Sequence, residues 1–500
     1  MVHHSGNTGI EYEFVVYPGG KVSDIQMEWN GLESIKRLKN SGIKYSCSLG
    51  EMTESAPYTY QGTVNQIESH FVLKNNIIAF KTAAYDKTKP LVIDPTLVWR
   101  TYFGGSGPGA GVTGVKTDIK GNIYFSGLTQ SHVGISTSGA YQTLLNGIQN
   151  AFLAKFNSNG KIIWATYFGG NNFDQASSVS TDTLGNVFIT GLTESKTNIA
   201  TAGSYQTFLA GIRNSFLAKF NSAGSLLWST YYGGNGIDEG TNISNDLNGN
   251  AYISGETSSI SGMATSGAYQ ASLGANVSGF LAKFSPSGKL LWATYYGGDF
   301  DCNGLHTSID YSGNIFISGT TYASKNLATS GTHQTSYGGG SWDAFLSKFN
   351  SSGKLLWASY YGGSGSDGTT SICSDTSGNI YITGLTTSSN GIASSGAYQT
   401  FYTGVTDAFL AKFDNSGGLL WSTYYGGNCT NESYGVIADH FGNVFLTGGP
   451  AVLAAFLLPA ATKVFIKGGL VMFFWQNLVV LEGEFGPLIM AETEMMEPME

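Results

Sequence analysis

The chain has 500 residues, a formal net charge of −9, 69 glycines, 13% aromatic residues and only 12% charged residues. This composition excludes an intrinsically disordered chain, which would be rich in charge and poor in aromatic residues. It also argues against nucleic acid as a partner, because phosphate binding requires clustered Lys and Arg.

The first 95 residues lack any internal repeat and are predicted to form a small β-rich domain. Glu11–Tyr17 alternates polar and apolar residues before a Pro-Gly-Gly turn, and Phe71–Phe80 has the pattern of a hairpin. No signal peptide is visible, because Met1–Ser5 leads into polar residues without an apolar segment.

From Leu97 the chain is organised around one repeated stretch, which reads AFLAKFNSNGKIIWATYFGG at Ala151–Gly170. A repeat of this length indicates a repeat architecture rather than one irregular core. The period is given by tryptophans that stand 64 or 65 residues apart, at Trp99, Trp164, Trp228, Trp292, Trp357 and Trp421.

Each repeat contains two predicted β-hairpins. One joins Ala151–Phe156 to Lys161–Phe168 through a turn that contains glycine, and the other carries the pattern D-x-x-G-N. The aspartate of this pattern is predicted to hold the turn by accepting backbone hydrogen bonds. Its six copies are Asp118, Asp182, Asp246, Asp310, Asp375 and Asp439.

Four short strands in each repeat predict an all-β fold, a β-propeller of four-stranded blades over residues 97–448. A solenoid of stacked β-coils is the structural alternative. The first repeat is present only as its last strand, Leu97–Phe103, which would supply the outer strand of a sixth blade if the ring closes there and would leave one strand missing. Six blades are therefore favoured, and a ring of seven blades stays open.

Residues 449–500 break the pattern: from Pro450 onward there is no Ser, Tyr or Asp, and five of the nine methionines occur there. Their apolar runs, Ala451–Ile466 and Leu470–Leu481, fall short of the roughly 20 residues of a membrane span. A membrane anchor is therefore not favoured. The preferred interpretation is a non-native or frameshifted end, and a strand that completes the ring is a further alternative.

The repeated motifs resemble those of the SBBP β-propeller repeat family of bacterial secreted and cell-surface proteins. The resemblance rests on Tyr-Tyr-Gly-Gly, Gly-Ala-Tyr-Gln, Asp-Ala-Phe-Leu-Ala-Lys-Phe and the D-x-x-G-N hairpin, and it extends from Leu97 to about Gly448. The first 95 residues resemble the β-rich domain that often precedes such repeats. The resemblance implies an extracellular or cell-surface location.

One loop has the spacing of a calcium site. Asp299, Asp301 and Asn303 match the opening D-x-D-x-N-G of a calcium-binding loop, and Asp310 falls at its twelfth position. Structural calcium at these four residues is the one cofactor hypothesis. The opposing interpretation is a polar loop on one face of the propeller.

A second set of candidates consists of aromatic residues in or beside polar loops. Rings that pack one blade on the next account for most of the aromatic residues, but those near loops could bind a glycan or a protein. His333 and Trp342 are departures from the repeat and mark the fourth complete repeat for a specific contact. The candidates are Tyr141, Tyr205, Tyr269, His333, Trp342 and Tyr398.

The near-uniform repeats predict a non-enzymatic scaffold or binding module, with adhesion as one use. The histidines form no HExxH or other metal spacing, no nucleophile-elbow, phosphate-loop or dinucleotide motif is present, and the four cysteines read as isolated thiols. The alternative is a carbohydrate-active enzyme with its site over the channel. Such an enzyme should have one repeat whose loops gather acid, base and positioning groups.

Overall fold

The computed structural model describes residues 2–6, 9–28, 34–38, 42–47, 50–54, 56–61, 65–74, 77–94, 103–107, 111–158, 160–297, 301–427, 430–439, 442–450, 470–474, 479–480 and 489–490. These residues divide into two compact units, one of Met1–Thr101 with Asp439–Glu500 and the other of Tyr102–Ala438. In these ranges, no helix has the length and apolar character needed to cross a membrane.

The N-terminal part of the first unit is built from short strands in three small sheets, with the orders β1-β2-β11-β7-β8, β3-β10-β9 and β4-β5-β6. Its core includes the buried Phe71, Ile78 and Leu91. The strands are β1 (Val2–Gly6), β2 (Gly9–Val16), β3 (Gln26–Glu28), β4 (Ser34–Arg37), β5 (Ile43–Cys47), β6 (Gly50–Glu54), β7 (Tyr58–Gln61), β8 (Asn65–Ile67), β9 (Ser69–Lys74), β10 (Ile77–Thr82) and β11 (Leu91–Asp94). The hairpin predicted at Phe71–Phe80 is confirmed as β9 and β10.

The second unit contains five antiparallel four-stranded sheets, each with its strands in sequence order, and one more strand. The strands are β12 (Gly111–Thr117), β13 (Ile123–Thr129), β14 (Asn150–Phe156), β15 (Ile162–Phe168), β16 (Asp174–Thr181), β17 (Val187–Thr193), β18 (Asn214–Phe220), β19 (Leu226–Tyr232), β20 (Asp238–Asn245), β21 (Ala251–Thr257), β22 (Ser278–Phe284), β23 (Leu290–Tyr296), β24 (Cys302–Ile309), β25 (Ile315–Thr321), β26 (Asp343–Phe349), β27 (Leu355–Tyr361), β28 (Asp367–Ser374), β29 (Ile380–Thr386), β30 (Asp407–Phe413), β31 (Leu419–Tyr425) and β32 (Asn431–Ala438). The predicted four-stranded blades are therefore confirmed.

Further strands close the list: β33 (Val444–Pro450), β34 (Leu470–Phe474), β35 (Val479–Val480) and β36 (Ile489–Met490). Strands β33 and β34 pair in parallel, and β35 pairs with β36 antiparallel. They belong to the first unit.

The D-x-x-G-N turn works as predicted. In the turn between β16 and β17, Asp182 Oδ1 accepts the backbone N–H of Leu184 (3.0 Å) and of Asn186 (2.8 Å), and Asp182 Oδ2 accepts Asn186 Nδ2–H at 2.7 Å. Gly185 adopts φ +80°, which suits glycine. These aspartates therefore hold the inner hairpin of each blade.

The first strand of each sheet contacts the first strand of the next, so these strands form the inner side of the propeller. Thr241 Oγ1 of β20, for example, donates to the carbonyl of Leu305 in β24 at 2.6 Å. Strand β32 lies beside β28 in the same way. This unit therefore holds five complete blades and the inner strand of the next, and the count of six blades stays a prediction.

Aromatic rings fill the space between blades. Phe168 at the end of the first blade packs on Phe216 of the second, with ring centroids 5.1 Å apart. Phe103 packs on Phe152 of the first blade at 5.3 Å. Phe103 therefore occupies the place of the last residue of a preceding blade, as the sequence match of Leu97–Phe103 to a fourth strand predicts.

A tryptophan at the outer strand links each blade to the next. Trp228 Nε1 donates to the carbonyl of Pro286 at 3.0 Å, and Trp164, Trp292 and Trp357 make the equivalent bonds to Ser222, Ser351 and Asn415. Across the described residues, Trp421 of the fifth blade finds no such acceptor. The tryptophan period therefore marks a repeated link between blades.

Replacing Trp228 by Phe is expected to lower the free energy of unfolding by about 1 kcal/mol. The change keeps an aromatic ring but removes one hydrogen bond between blades. Chemical denaturation followed by circular dichroism measures the effect. Trp421→Phe is the matched control and should cost clearly less, so equal losses at both positions would contradict the role of the hydrogen bond.

Candidate functional site at the blade seams

We call the junction between one blade and the next a seam and number it after the first of the two blades. Each seam contains a buried polar framework that recurs with little change. Asp238, which follows a Gly-Gly pair, accepts hydrogen bonds from Gly234 N (2.8 Å), Thr257 Oγ1 (2.5 Å), Ser259 Oγ (2.9 Å) and Asn214 Nδ2 (2.9 Å). The side chain is fully buried. Burial raises the pKa of the Asp238 carboxyl, while its donors act in the opposite direction. Asp174 and its partners repeat this arrangement, so the framework serves the structure.

The copies differ at three positions directly beside this framework, which we call the seam triad. The first position follows the second strand of a blade, the second precedes the third strand, and the third is the second residue of the next inner strand. The five triads are Gln130, Gln149 and Gln175; Glu194, Arg213 and Glu239; Ser258, Val277 and Asn303; Tyr322, Trp342 and Gly368; and Thr387, Thr406 and Glu432.

The first two members of a triad touch in several blades, although 19 or 20 residues separate them. Gln130 Nε2 donates a hydrogen bond to Gln149 Oε1 at 3.4 Å, and the Arg213 guanidinium forms an ion pair with Glu194 Oε1 at 2.6 Å. The triads are equivalent positions and therefore lie at the same end of the blades. These variable positions therefore share one face of the propeller.

The triad of the second seam is charged. Arg213 forms ion pairs with both Glu194 and Glu239. Glu256 lies opposite Glu239 across the β20–β21 pair, and its Oε1 accepts the Gly304 N–H at 2.7 Å. Burial raises the pKa of the Glu256 carboxyl, with a further contribution from the charge of Glu239. Sequence reasoning missed this group, although a column-by-column comparison of the repeats would have isolated its charged residues.

The triad of the fourth seam is aromatic. The rings of Tyr322 and Trp342 lie 5.9 Å apart, and Tyr322 is 39% exposed. A Cβ atom on Gly368 would lie 3.8 Å from Trp342 Nε1, at the position where three other triads carry Gln or Glu. Glycine therefore leaves the indole uncovered. The sequence analysis identified Trp342 but missed Tyr322, because their contact depends on the fold.

The other aromatic candidates occupy a different place, between the ends of adjacent blades. Tyr205 packs on Tyr232 of its own blade and, edge on, against Phe284 of the next. His333 packs in the same manner on Tyr361 and Phe413, and burial lowers the pKa of His333. Tyr141, Tyr269 and Tyr398 hold the equivalent position. These rings are partly exposed and support the junction, and their role in ligand binding stays a prediction.

The structure does not assemble the four predicted calcium ligands. Asp301 and Asp310 flank the extended strand Cys302–Ile309, so roughly 25 Å of chain separates them. Asp310 is committed to its own turn, where Asn314 donates to both carboxylate oxygens, and Asp299 lies outside the described residues. The expectation of one site built from Asp301, Asn303 and Asp310 is therefore corrected, because a strand replaces the predicted loop.

The two described thiols lack the low pKa of a catalytic nucleophile. Cys302 is buried and Cys373 is half-buried, and burial raises the pKa of both thiols above the ordinary range. A raised pKa disfavours the thiolate that a nucleophile needs. Where side chains are described, no cluster of three or more His, Cys, Asp and Glu could hold a metal ion.

Comparison with known families fits this architecture. Residues 163–199 and 227–260 match the model of the β-propeller repeat SBBP. Each of these segments begins in the last strand of one blade and ends after the second strand of the next, so one SBBP repeat spans a seam. Residues 1–96 match a domain of unknown function, DUF7948, which is consistent with a separate domain before the SBBP repeats.

Among curated proteins, an uncharacterized WD repeat-containing protein of Acanthamoeba polyphaga mimivirus is 24% identical over 443 residues, covering 73% of this chain and 32% of the relative. The chain thus spans about a third of that relative. Among solved structures, the NanB sialidase of Streptococcus pneumoniae is 9% identical with a TM-score of 0.38, covering 87% of this chain and 90% of the sialidase. A gluconolactonase of Xanthomonas campestris is 12% identical with a TM-score of 0.27, covering 65% of this chain and 86% of that enzyme. Similarities at this level do not indicate a shared activity.

Proposed function

We propose that this chain is a non-enzymatic, secreted or cell-surface propeller that acts as a binding module in adhesion. Its specific contact is made by the aromatic seam triad of Tyr322, Trp342 and Gly368. The observation that carries the proposal is the uncovered ring pair of the fourth seam. No other complete triad has an aromatic residue.

The constant residues of the repeats hold the structure, whereas the seam triads vary, and this difference supports the proposal. The repeated aspartates are engaged in turns and in buried hydrogen bonds, so they have little capacity left for chemistry. The seam triads carry amides, charges, small residues or rings on the same scaffold. A binding module needs such a rigid frame with variable contact residues.

A glycan is the partner we favour. Two rings 5.9 Å apart offer a platform about as large as one or two sugar units, whereas a stable protein interface buries about 800 Å² on each side. Tyr and Trp combine an apolar face with a polar donor, which suits sugar rings and their hydroxyl groups. Trp342 Nε1 has no hydrogen-bond partner among the described residues and remains available to a ligand.

The charged seam supports a second candidate, a carbohydrate-active enzyme. Burial raises the pKa of Glu256, whereas Glu239 forms an ion pair with Arg213. Two carboxyl groups in such different environments are the usual arrangement of an acid and its charged partner in glycoside hydrolysis. This candidate would place catalysis at Glu239 and Glu256.

Replacing Trp342 by Ala in the full chain is expected to weaken glycan binding about tenfold or more, the size of effect typical of a central aromatic contact. Immobilised glycans would identify a ligand, and titration followed by intrinsic fluorescence would measure its affinity. Tyr322→Ala should also weaken binding. Tyr311→Ala is the matched control, because it removes an exposed ring in the turn between β24 and β25 and should leave affinity unchanged.

Two outcomes would contradict the proposal. If Trp342→Ala binds the glycan as tightly as the unmodified chain, the aromatic triad is not the contact site. If the unmodified chain releases reducing sugar from the bound glycan, the hydrolase at Glu239 and Glu256 replaces the binding module.

A further inference from the structure

Below each triad, the seam contains a pair of buried polar residues that join adjacent blades. One is the first residue of a third strand, and the other is the first residue of the next inner strand. Asn150 Nδ2 donates to Asp174 Oδ2 at 3.1 Å, and Asn214 Nδ2 donates to Asp238 Oδ2 at 2.9 Å. These seams therefore combine one carboxylate with one amide donor.

The last complete seam carries the same pair in reverse. Asp407 now supplies the carboxyl group and Asn431 the amide; burial raises the pKa of Asp407, and hydrogen bonds that include one from Asn431 act in the opposite direction. The third seam has two uncharged residues, Ser278 and Cys302. None of these four seams places two carboxyl groups together.

The fourth seam breaks this rule, because Asp343 faces Asp367. Both side chains are fully buried. A Cβ atom on Gly362 would lie 2.7 Å from Asp367 Oδ2 and 2.9 Å from Asp343 Oδ1. In the second seam, a Cβ atom on Gly233 would instead lie beside Asp238 Oδ2 and the amide nitrogen of Asn214. Asp343 Oδ1 therefore takes the place of the amide donor.

The hydrogen bonds of the pair leave one oxygen unsatisfied. Asp367 Oδ1 accepts from Thr386 Oγ1, and Asp367 Oδ2 accepts from Gly363 N (2.8 Å) and Ser388 Oγ (2.7 Å). Asp343 Oδ2 accepts the Gly338 N–H at 2.5 Å. Asp343 Oδ1 is buried without any partner. A buried oxygen in this state is costly unless it carries or receives a proton.

We propose that Asp343 and Asp367 form a proton-binding site at the seam between the fourth and fifth blades. Asp343 is the neutral acid, and its O–H donates to Asp367 in place of the amide N–H of the other seams. A metal ion fits less well, because N–H and O–H donors already occupy three of the four carboxyl oxygens. This site is independent of the proposed glycan binding.

The electrostatic surroundings agree with one bound proton. Burial and the charge of Asp367 raise the pKa of the Asp343 carboxyl to about 7. The titratable groups that act on the pair are the phenols of Tyr337, Tyr361 and Tyr424, whose own pKa values are raised by burial. These phenols stay neutral at physiological pH. In the described part of the chain, no Lys, Arg or His acts on either carboxyl group.

The consequence is a seam that weakens as pH rises. An unfolded Asp loses its proton near pH 4, whereas the folded pair retains one up to about pH 7. The folded state therefore binds more protons than the unfolded state between these values, and its stability falls as pH rises through this window. Above neutral pH, two buried carboxylates repel each other across the seam. The backbone N–H of Asp367 donates a hydrogen bond to the carbonyl of Trp342 at 2.8 Å. The carboxyl pair therefore adjoins the aromatic triad.

The test compares the melting temperature of the full chain and of Asp343→Asn between pH 5 and pH 9. We expect the melting temperature of the unmodified chain to fall more steeply than that of Asp343→Asn between pH 5 and about pH 7, and to stay below it from there to pH 9. Asn150→Asp is the matched gain-of-function variant, because it creates the same carboxyl pair in the first seam. It should steepen the fall in melting temperature between pH 5 and about pH 7. Infrared difference spectra should show one protonated carboxyl group that is lost near neutral pH and is absent from Asp343→Asn.

Three results would overturn the proposal. Parallel melting curves for the unmodified chain and Asp343→Asn would show that the pair holds no proton. An infrared band that persists in Asp343→Asn would assign the proton to another group. A rise in melting temperature of the unmodified chain with CaCl₂ or MgCl₂ at pH 8, absent from Asp343→Asn, would make the occupant a metal ion. Asp367→Asn provides a second variant that should fold, because Asp407 and Asn431 already form that pair naturally.

Discussion

Replacing Asp238 by Ala is expected to lower the free energy of unfolding by about 4 kcal/mol. The change removes the acceptor shared by Gly234, Thr257, Ser259 and Asn214, and leaves several buried donors without a partner. Each unsatisfied buried donor costs about 1–3 kcal/mol, although the costs do not add fully. Urea denaturation of the purified chain measures the loss.

Asp238→Asn is the control for this experiment. It retains one oxygen acceptor, and Asn431 already occupies the equivalent position of the last complete seam. We expect it to cost less than half as much as the alanine variant. A loss below about 1 kcal/mol for Asp238→Ala would refute the view that this carboxyl group organises the seam.

Replacing Gly255 by Ala is expected to cost more than about 3 kcal/mol or to prevent folding, because a new Cβ must displace backbone. That Cβ would lie 1.9 Å from the carbonyl oxygen of Glu239 on the neighbouring strand. The pair lies next to a bulge between Gly240 and Asn242, where the strands approach closely. Thermal unfolding and the yield of folded protein report the effect.

Gly267→Ala separates lack of space from backbone strain. Gly267 has φ +79° but no atom within 4 Å of the position of a Cβ. Its substitution should cost only about 1–2 kcal/mol, the price of a left-handed conformation for an L-residue. Equal losses at Gly255 and Gly267 would be inconsistent with close strand approach as the reason for the strand glycine.

The seams explain how a chain of similar repeats can acquire a specific contact. The buried framework keeps adjacent blades in register, and the triads above it vary without disturbing that framework. The pairing of Asp343 with Asp367 is a departure within the framework itself, and Asp343 directly follows Trp342. The aromatic triad and the carboxyl pair therefore distinguish the same seam by two independent features.

Much of the blade could be predicted because its determinants are local. The D-x-x-G-N aspartates bond to atoms two to four residues ahead, and the hairpins join strands that follow each other in sequence. Trp342 was also identified, since a Trp stands out against the small or polar residues of the other loops. The calcium prediction is wrong for a related reason: the spacing of Asp301 and Asp310 predicts a loop, whereas the residues between them form an inner strand.

The sequence by itself determined the repeat, the two hairpins, the turn aspartates and the all-β class of this chain. Each depends on neighbours within a few residues, and repetition makes such patterns visible. Only the tertiary structure decided which side chains meet at a seam. Tyr322, Trp342 and Gly368 come from three separate segments, and Asp343 faces Asp367 only because the next blade packs against the one before it. The functional hypotheses rest on these contacts between blades, since residues of different strands meet there through packing and their order in the chain does not reveal it.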